Sequence, residues 1–142
     1  MRGSKRAKAR ELLMRMLFQM EFQGDFSEDA RDRFIEYFFE DRAQLSYVYR
    51  AHAFVRDNRE ALDRMIEACS DNWKVSRIAK ADLSILRIAA AEIFYMEDIP
   101  DSVSANEAVE LAKLYGEDES PRFINGILGK LIRSKEKERT LL

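Results

Sequence analysis

Few residues in this chain are of a type that carries covalent chemistry. His52 is the only histidine and Cys69 the only cysteine. One of each cannot build a zinc site, which takes three or four protein ligands. His52, flanked by Ala51 and Ala53, reads as a partly buried or surface side chain. A lone cysteine forms no internal disulfide and suits a reducing, cytoplasmic setting. No Gly-rich phosphate loop, HExxH or GxSxG is present. The acidic run "GEDES" at 116–120 lacks the ligand spacing of a calcium loop. The residues therefore predict no active site, no metal and no cofactor.

What remains is recognition chemistry. Residues 1–15 hold Arg2, Lys5, Arg6, Lys8, Arg10 and Arg15 against Glu11 alone. Residues 25–41 hold seven carboxylates against Arg31 and Arg33. The whole chain is near neutral, at -2. A basic end on a neutral body can hold phosphate locally, and it can equally be a solvated helix terminus. Phe18, Phe123 and Asn125 are side chains of the kind that stack on bases or read base edges in single-stranded RNA. In "RFINGIL" (122–128), Asn125 either faces a ligand or ties its helix to a neighbouring carbonyl. Gly126 costs about 1 kcal/mol against Ala in a helix interior. A close helix–helix approach is the expected reason for it.

Helices must position these groups. The chain has 142 residues, 46% apolar and 35% charged, with 2 Pro and 5 Gly. That fits one all-helical domain spanning 1–142. No apolar run reaches the ~20 residues of a membrane span. A first helix is expected from about Ser4 to Gln23, with Ser4 as cap and Gly24 as stop. Ala9, Leu12, Leu13, Met16, Leu17 and Met20 form its core stripe. Met14, Phe18 and Phe22 form a second stripe, so either the helix is buried on two faces or Phe18 meets a partner. A second helix starts near Ser27. A third runs from about Ser46 to Cys69, with a kink around 56–58. A fourth covers "ADLSILRIAAAEIFYM" and ends before Pro100. Ser104 and Glu107 have the spacing of a capping box for a fifth, which starts there or a few residues earlier. Ser120 and Pro121 read as the start of the last helix. The mixed-charge tail, 134–142, is expected to fray.

Four segments carry a resemblance: "KARELLMRMLFQ" (8–19), "ADLSILRIAAAEI" (81–93), "IPDSVSANEAVELAKLYG" (99–116) and "SPRFINGIL" (120–128). In order and spacing they resemble the NusB family of bacterial antitermination factors. The resemblance implies about seven helices in two packed sub-bundles. It implies binding to a boxA-like single-stranded RNA of ribosomal RNA leaders, together with ribosomal protein NusE, within an RNA polymerase antitermination complex. It places Lys5, Arg6, Lys8 and Arg10 on phosphates, and Phe18, Phe123 and Asn125 at the RNA. Phe18 stands where the family usually has Tyr. Asp82 matches an acidic position that contacts NusE. The free protein is expected to be a monomer or a homodimer. A helical protein–protein adaptor without RNA function is the alternative, and it would need neither the basic end nor Phe123 and Asn125.

Overall fold

The computed structural model describes the backbone of residues 4–141 and side chains through Glu138. Arg2, one of the six N-terminal cations, and Leu142 lie outside the described residues. Six helices follow one another: α1 (Lys5–Gln23), α2 (Glu28–Phe38), α3 (Leu45–Cys69), α4 (Lys80–Tyr95), α5 (Asp101–Tyr115) and α6 (Ser120–Leu141). One-turn 3-10 helices, Arg42–Gln44 and Val75–Arg77, precede α3 and α4.

Local chemistry sets the ends of α1 and the start of α2. Ser4 caps α1, its Oγ accepting the Ala7 N–H at 2.9 Å. Gly24 closes α1 at φ 69°, a left-handed conformation that glycine adopts without a Cβ penalty. The N–H groups of Gly24 and Asp25 both return to the Met20 carbonyl. Ser27 caps α2 in the same way as Ser4 caps α1, through the Ala30 N–H. The kink expected in α3 falls at Asn58, whose φ and ψ are -121° and 19°. Its Nδ2 donates to the Phe54 carbonyl at 2.9 Å, a local bond that competes with the helix ladder. Six helices, one of them bent into two segments, account for the expected count of about seven.

The fold is organised around α4. Every residue from Asp82 to Ile93 is buried, as an all-round apolar helix must be. Helices α1 and α3 pack on it from the N-terminal half of the chain, α5 and α6 from the C-terminal half. Asp82, Arg87 and Glu92 are buried with the rest, so each needs a partner. Asp82 accepts from Ser120 of α6 at 2.9 Å. Arg87 pairs with Asp63 of α3 at 2.8 Å and Glu21 of α1 at 2.9 Å. Glu92 accepts from Arg10 of α1, Tyr47 of α3 and Ser104 of α5. Three polar positions on one helix thus tether four others.

Several expectations are corrected here. Ser104 does not cap α5. The helix starts earlier, at Asp101 behind Pro100, and Ser104 points into the core toward Glu92. Ser120 is the first residue of α6, so the last helix starts where Ser120 and Pro121 place it. Its Oγ accepts the Glu117 N–H at 2.9 Å while donating to Asp82. The C-terminal tail stays helical to Leu141. Lys135 anchors it, donating to the Ile93 carbonyl at 2.7 Å and to Asp101 at 2.8 Å. Gly126 marks no close approach, because a Cβ built there meets nothing within 4 Å. Gly126→Ala should therefore stabilise the protein, by about 0.4–1 kcal/mol through reduced freedom of the unfolded chain. Chemical denaturation reads this directly, and a lower midpoint would mean that the glycine is sterically required.

His52 is fully buried rather than at the surface. Its Nε2 lies 2.9 Å from the Phe26 carbonyl and donates to it, and Nδ1 has no partner among the described residues. Burial pushes the imidazole pKa down, and the Phe26 carbonyl opposes that only partly. A depressed folded pKa means that the unfolded chain takes up the proton first. Stability is then complete above the ordinary histidine value, about 6.5, and falls as pH drops below it. Denaturation midpoints at pH 7.5 and 5.5 should show this loss. His52→Gln should abolish the difference, because no other histidine is present.

Candidate nucleic-acid interface

The first turns of α1 present three cations in three settings. Lys8 is exposed. Lys5 is exposed and lies 3.6 Å from Asp41. Arg6 is half-buried, with its guanidinium 4.3 Å from the centre of the Tyr47 ring. Its Nε donates to Gln44. Arg10, expected beside them, is not available to a phosphate. It is 4% exposed, and its Nε and one terminal nitrogen bond the two oxygens of Glu92 at 2.7 and 3.0 Å. The helical period that aligned Arg10 with the other cations also turns it inward.

Further along α1 the surface changes character. Met14, Arg15, Phe18, Gln19, Phe22, Phe34, Phe38, Ala81 and Tyr115 line a groove of about 480 Å³. Phe18 and Phe22 are 40% and 74% exposed, so the second stripe of α1 offers these rings outward. Arg15 lies over the Phe38 ring, 5.6 Å from its centre. Tyr115 donates to Glu11, closing the groove between α5 and α1. Aromatic surface of this kind, rimmed by polar groups, is the composition of a protein-binding site. Asp82 does not line the groove, although its neighbour Ala81 does. It is 7% exposed, and its raised pKa follows from burial, which its Ser120 bond only partly offsets.

A third group gathers at the start of α6. Phe123 packs half-buried against the core, and its ring meets Trp73 edge-on at 6.3 Å. Trp73 is 53% exposed. Asp71 and Asn72 before it take positive φ, 54° and 64°, and turn the chain sharply. Buried Ser70 pins that turn, accepting the Trp73 N–H and donating to the Trp73 carbonyl. Lys74 and Arg77 are exposed close by in sequence, and Lys130 is held by Asp71 at 3.1 Å. Asn125 is exposed, and its amide has no partner among the described residues. It does not tie α6 to a neighbouring carbonyl.

The expected RNA residues are thus not assembled in one place. Lys5, Arg6 and Lys8 stand at the start of α1, with Phe18 about 20 Å further along it at 1.5 Å per residue. Phe123 and Asn125 lie on α6, whose start meets the opposite end of α4 through Asp82. Trp73 stands exposed in the connector between α3 and α4, where no helical period marks it. The signal that could have found it is a tryptophan in a polar turn followed by Lys74 and Arg77, with no helix to bury it.

An all-helical body with a basic end, an apolar groove and an exposed tryptophan against a half-buried phenylalanine belongs to the class of macromolecular recognition proteins. The chain belongs to the NusB family, whose family profile matches residues 7–133. It is 47% identical over 127 residues to a transcription antitermination protein NusB of Alkaliphilus oremlandii, covering 89% of this chain and 92% of that one. It is 42% identical over 137 residues to the protein of that name from Pelotomaculum thermopropionicum, covering 96% and 95%. Among solved structures, T. maritima NusB superposes with a TM-score of 0.83 at 31% identity, covering 96% and 98%. The fold is also that of a NusB solved with NusE and double-stranded RNA, with TM-score 0.81, 18% identity and coverage of 91% and 96%. Among the described residues, no helix is long and apolar enough to cross a membrane.

Proposed function

We propose that this chain is a non-catalytic, cytoplasmic transcription antitermination factor. It binds a boxA-like single-stranded RNA together with a NusE-type ribosomal protein, and the pair acts on RNA polymerase. The observation that carries this reading is the chemical division of the surface. Cations stand at the start of α1, an apolar aromatic groove lies along its second half, and exposed Trp73 meets half-buried Phe123 at the start of α6. A polyanion and a folded protein can be held side by side on such a surface. The names of the relatives, and the solved complex containing NusB, NusE and RNA, support it.

In this reading Lys5, Arg6 and Lys8 hold phosphates. Trp73 and Phe123 stack on bases, and Asn125 reads a base edge. Phe18, in the groove with Phe22 and Phe38, serves the protein partner rather than the RNA. Asp82 acts from behind the groove by fixing the start of α6. Arg10 is left out of the RNA set because Glu92 occupies it.

Anisotropy titrations of a boxA-like RNA, with and without purified NusE-type protein, test the whole reading. Affinity should rise when the protein partner is present, and equal affinity in both arms would overturn it. The separate roles make a further prediction. Lys8→Ala should make the salt dependence shallower by about 0.7 for one lost single-strand phosphate contact. Trp73→Ala should weaken binding by about 1–3 kcal/mol, the scale of one lost base stack, with the salt slope unchanged. If Trp73→Ala instead leaves affinity intact, the α6 end is not part of the RNA path.

A further inference from the structure

Arg6 is set apart from its neighbours by how it is held. Lys5 sits 3.6 Å from Asp41, whose carboxylate pKa is lowered first by the Ala43 N–H and also by Lys5 and Lys8. Those two lysines are flexible point charges beside an acidic turn. Arg6 lies on the other side of α1, with its guanidinium carbon 4.3 Å from the centre of a buried ring. Tyr47 is 2% exposed, and its hydroxyl donates to Glu92, which is itself 1% exposed. The ring therefore has a fixed position. Gln44, the last residue of the 3-10 turn before α3, takes the Arg6 Nε–H. With Nε engaged and one face covered, the two terminal nitrogens of Arg6 make no hydrogen bond among the described residues, and the nearby Asp98 carboxylate, which feels the Arg6 charge, is itself paired with Arg50. A guanidinium held in this way presents a bidentate donor pair of fixed direction, which suits a phosphate.

We infer that Gln44 and Tyr47 are positioning residues that pre-orient Arg6 as a two-pronged phosphodiester clamp. The inference rests on the proposed RNA-binding function. Lys5 and Lys8 supply attraction, whereas Arg6 supplies geometry. The chain Glu92–Tyr47–Arg6 connects the buried centre of the fold to the outer end of the basic surface. Because Arg10 lies 5.5 Å from the centre of the same ring and is locked onto Glu92, α1 cannot rotate without breaking the platform.

The test uses the full chain and a short fluorescein-labelled single-stranded RNA of mixed sequence, titrated at several salt concentrations. Gln44 is half-buried at the surface, so Gln44→Ala should fold normally, and thermal unfolding checks this. Arg6→Lys keeps the charge and removes the fork. Each variant should weaken binding about fivefold with an unchanged salt slope. The double variant should be no weaker than Arg6→Lys alone, because Gln44 acts only through Arg6. A merely structural Gln44 would give additive losses, and that overturns the inference. So does an Arg6→Lys variant that binds like the parent. Failure of the underlying reading is distinct: replacing Lys5 and Lys8 together would then leave the salt slope of the parent unchanged.

Discussion

Glu92→Ala should be among the most destabilising single substitutions in this protein, lowering unfolding free energy by about 3–5 kcal/mol. The carboxylate is 1% exposed and receives hydrogen bonds from Arg10, Tyr47 and Ser104. Arg10 is 4% exposed, so removing Glu92 leaves a guanidinium in a site that water cannot reach. Glu107 is 3.6 Å from Arg10, but it bonds the opposite side of the fork and cannot replace two short contacts. The Tyr47 and Ser104 hydroxyls lose their acceptor at the same time, at roughly 1–3 kcal/mol for each group left unsatisfied. Urea denaturation of Glu92→Ala and of the pair Arg10→Met with Glu92→Leu separates these contributions. The double variant should recover the part due to the orphaned charge and not the part due to the hydroxyls. A single variant within 1 kcal/mol of the parent would mean that the hub is hydrated and contributes little. Arg6 would lose its platform in the same variant, so stability and RNA affinity should fall together.

That hub explains where reading the sequence succeeds and where it stops. Signals confined to a few neighbouring residues are legible. Ser4, Ser27 and Gly24 cap their helices as their types and positions predict. The apolar run of α4 announces a buried helix, and Asn58 falls where α3 was expected to bend. Signals that depend on distant partners are not legible. Arg10 and Glu92 are 82 residues apart, and nothing local distinguishes Arg10 from Lys8 except which way it faces. Ser104 has the spacing of a capping box, yet its hydroxyl is taken by the buried carboxylate. His52 sits among alanines at a position that turns out to be sealed by Phe26. The candidate site follows the same rule. Its residue types were recognisable, as Phe18, Phe123 and Asn125 illustrate. Their division among a basic end, a groove and an aromatic pair is set by how α1, α5 and α6 cross α4.

Of the glycines among the described residues, Gly116 rather than Gly126 is the one whose packing forbids a side chain. A Cβ at 116 would lie 2.5 Å from both Cβ and Oγ of Ser120 and 2.9 Å from the Ala112 carbonyl. Neither obstacle can swing away, since one is backbone and the other is held by Asp82 and Glu117. Gly116→Ala should therefore cost about 1–3 kcal/mol from overpacking. Each Ser120 hydrogen bond displaced adds roughly 1 kcal/mol. The turn between α5 and α6 must shift, and it carries Tyr115 of the groove on one side and Phe123 on the other. Binding of the protein partner should weaken together with stability. Gly116→Ala combined with Ser120→Gly removes the clash with Ser120 but neither the contact with the Ala112 carbonyl nor the loss of the hydroxyl. Its destabilisation should be smaller than the sum of the two single losses, the sign of a shared steric cause. Unfolding free energies of the four proteins in the cycle decide the matter. Strict additivity would show that the α5–α6 turn relaxes freely, and that the positions of Tyr115 and Phe123 do not depend on it.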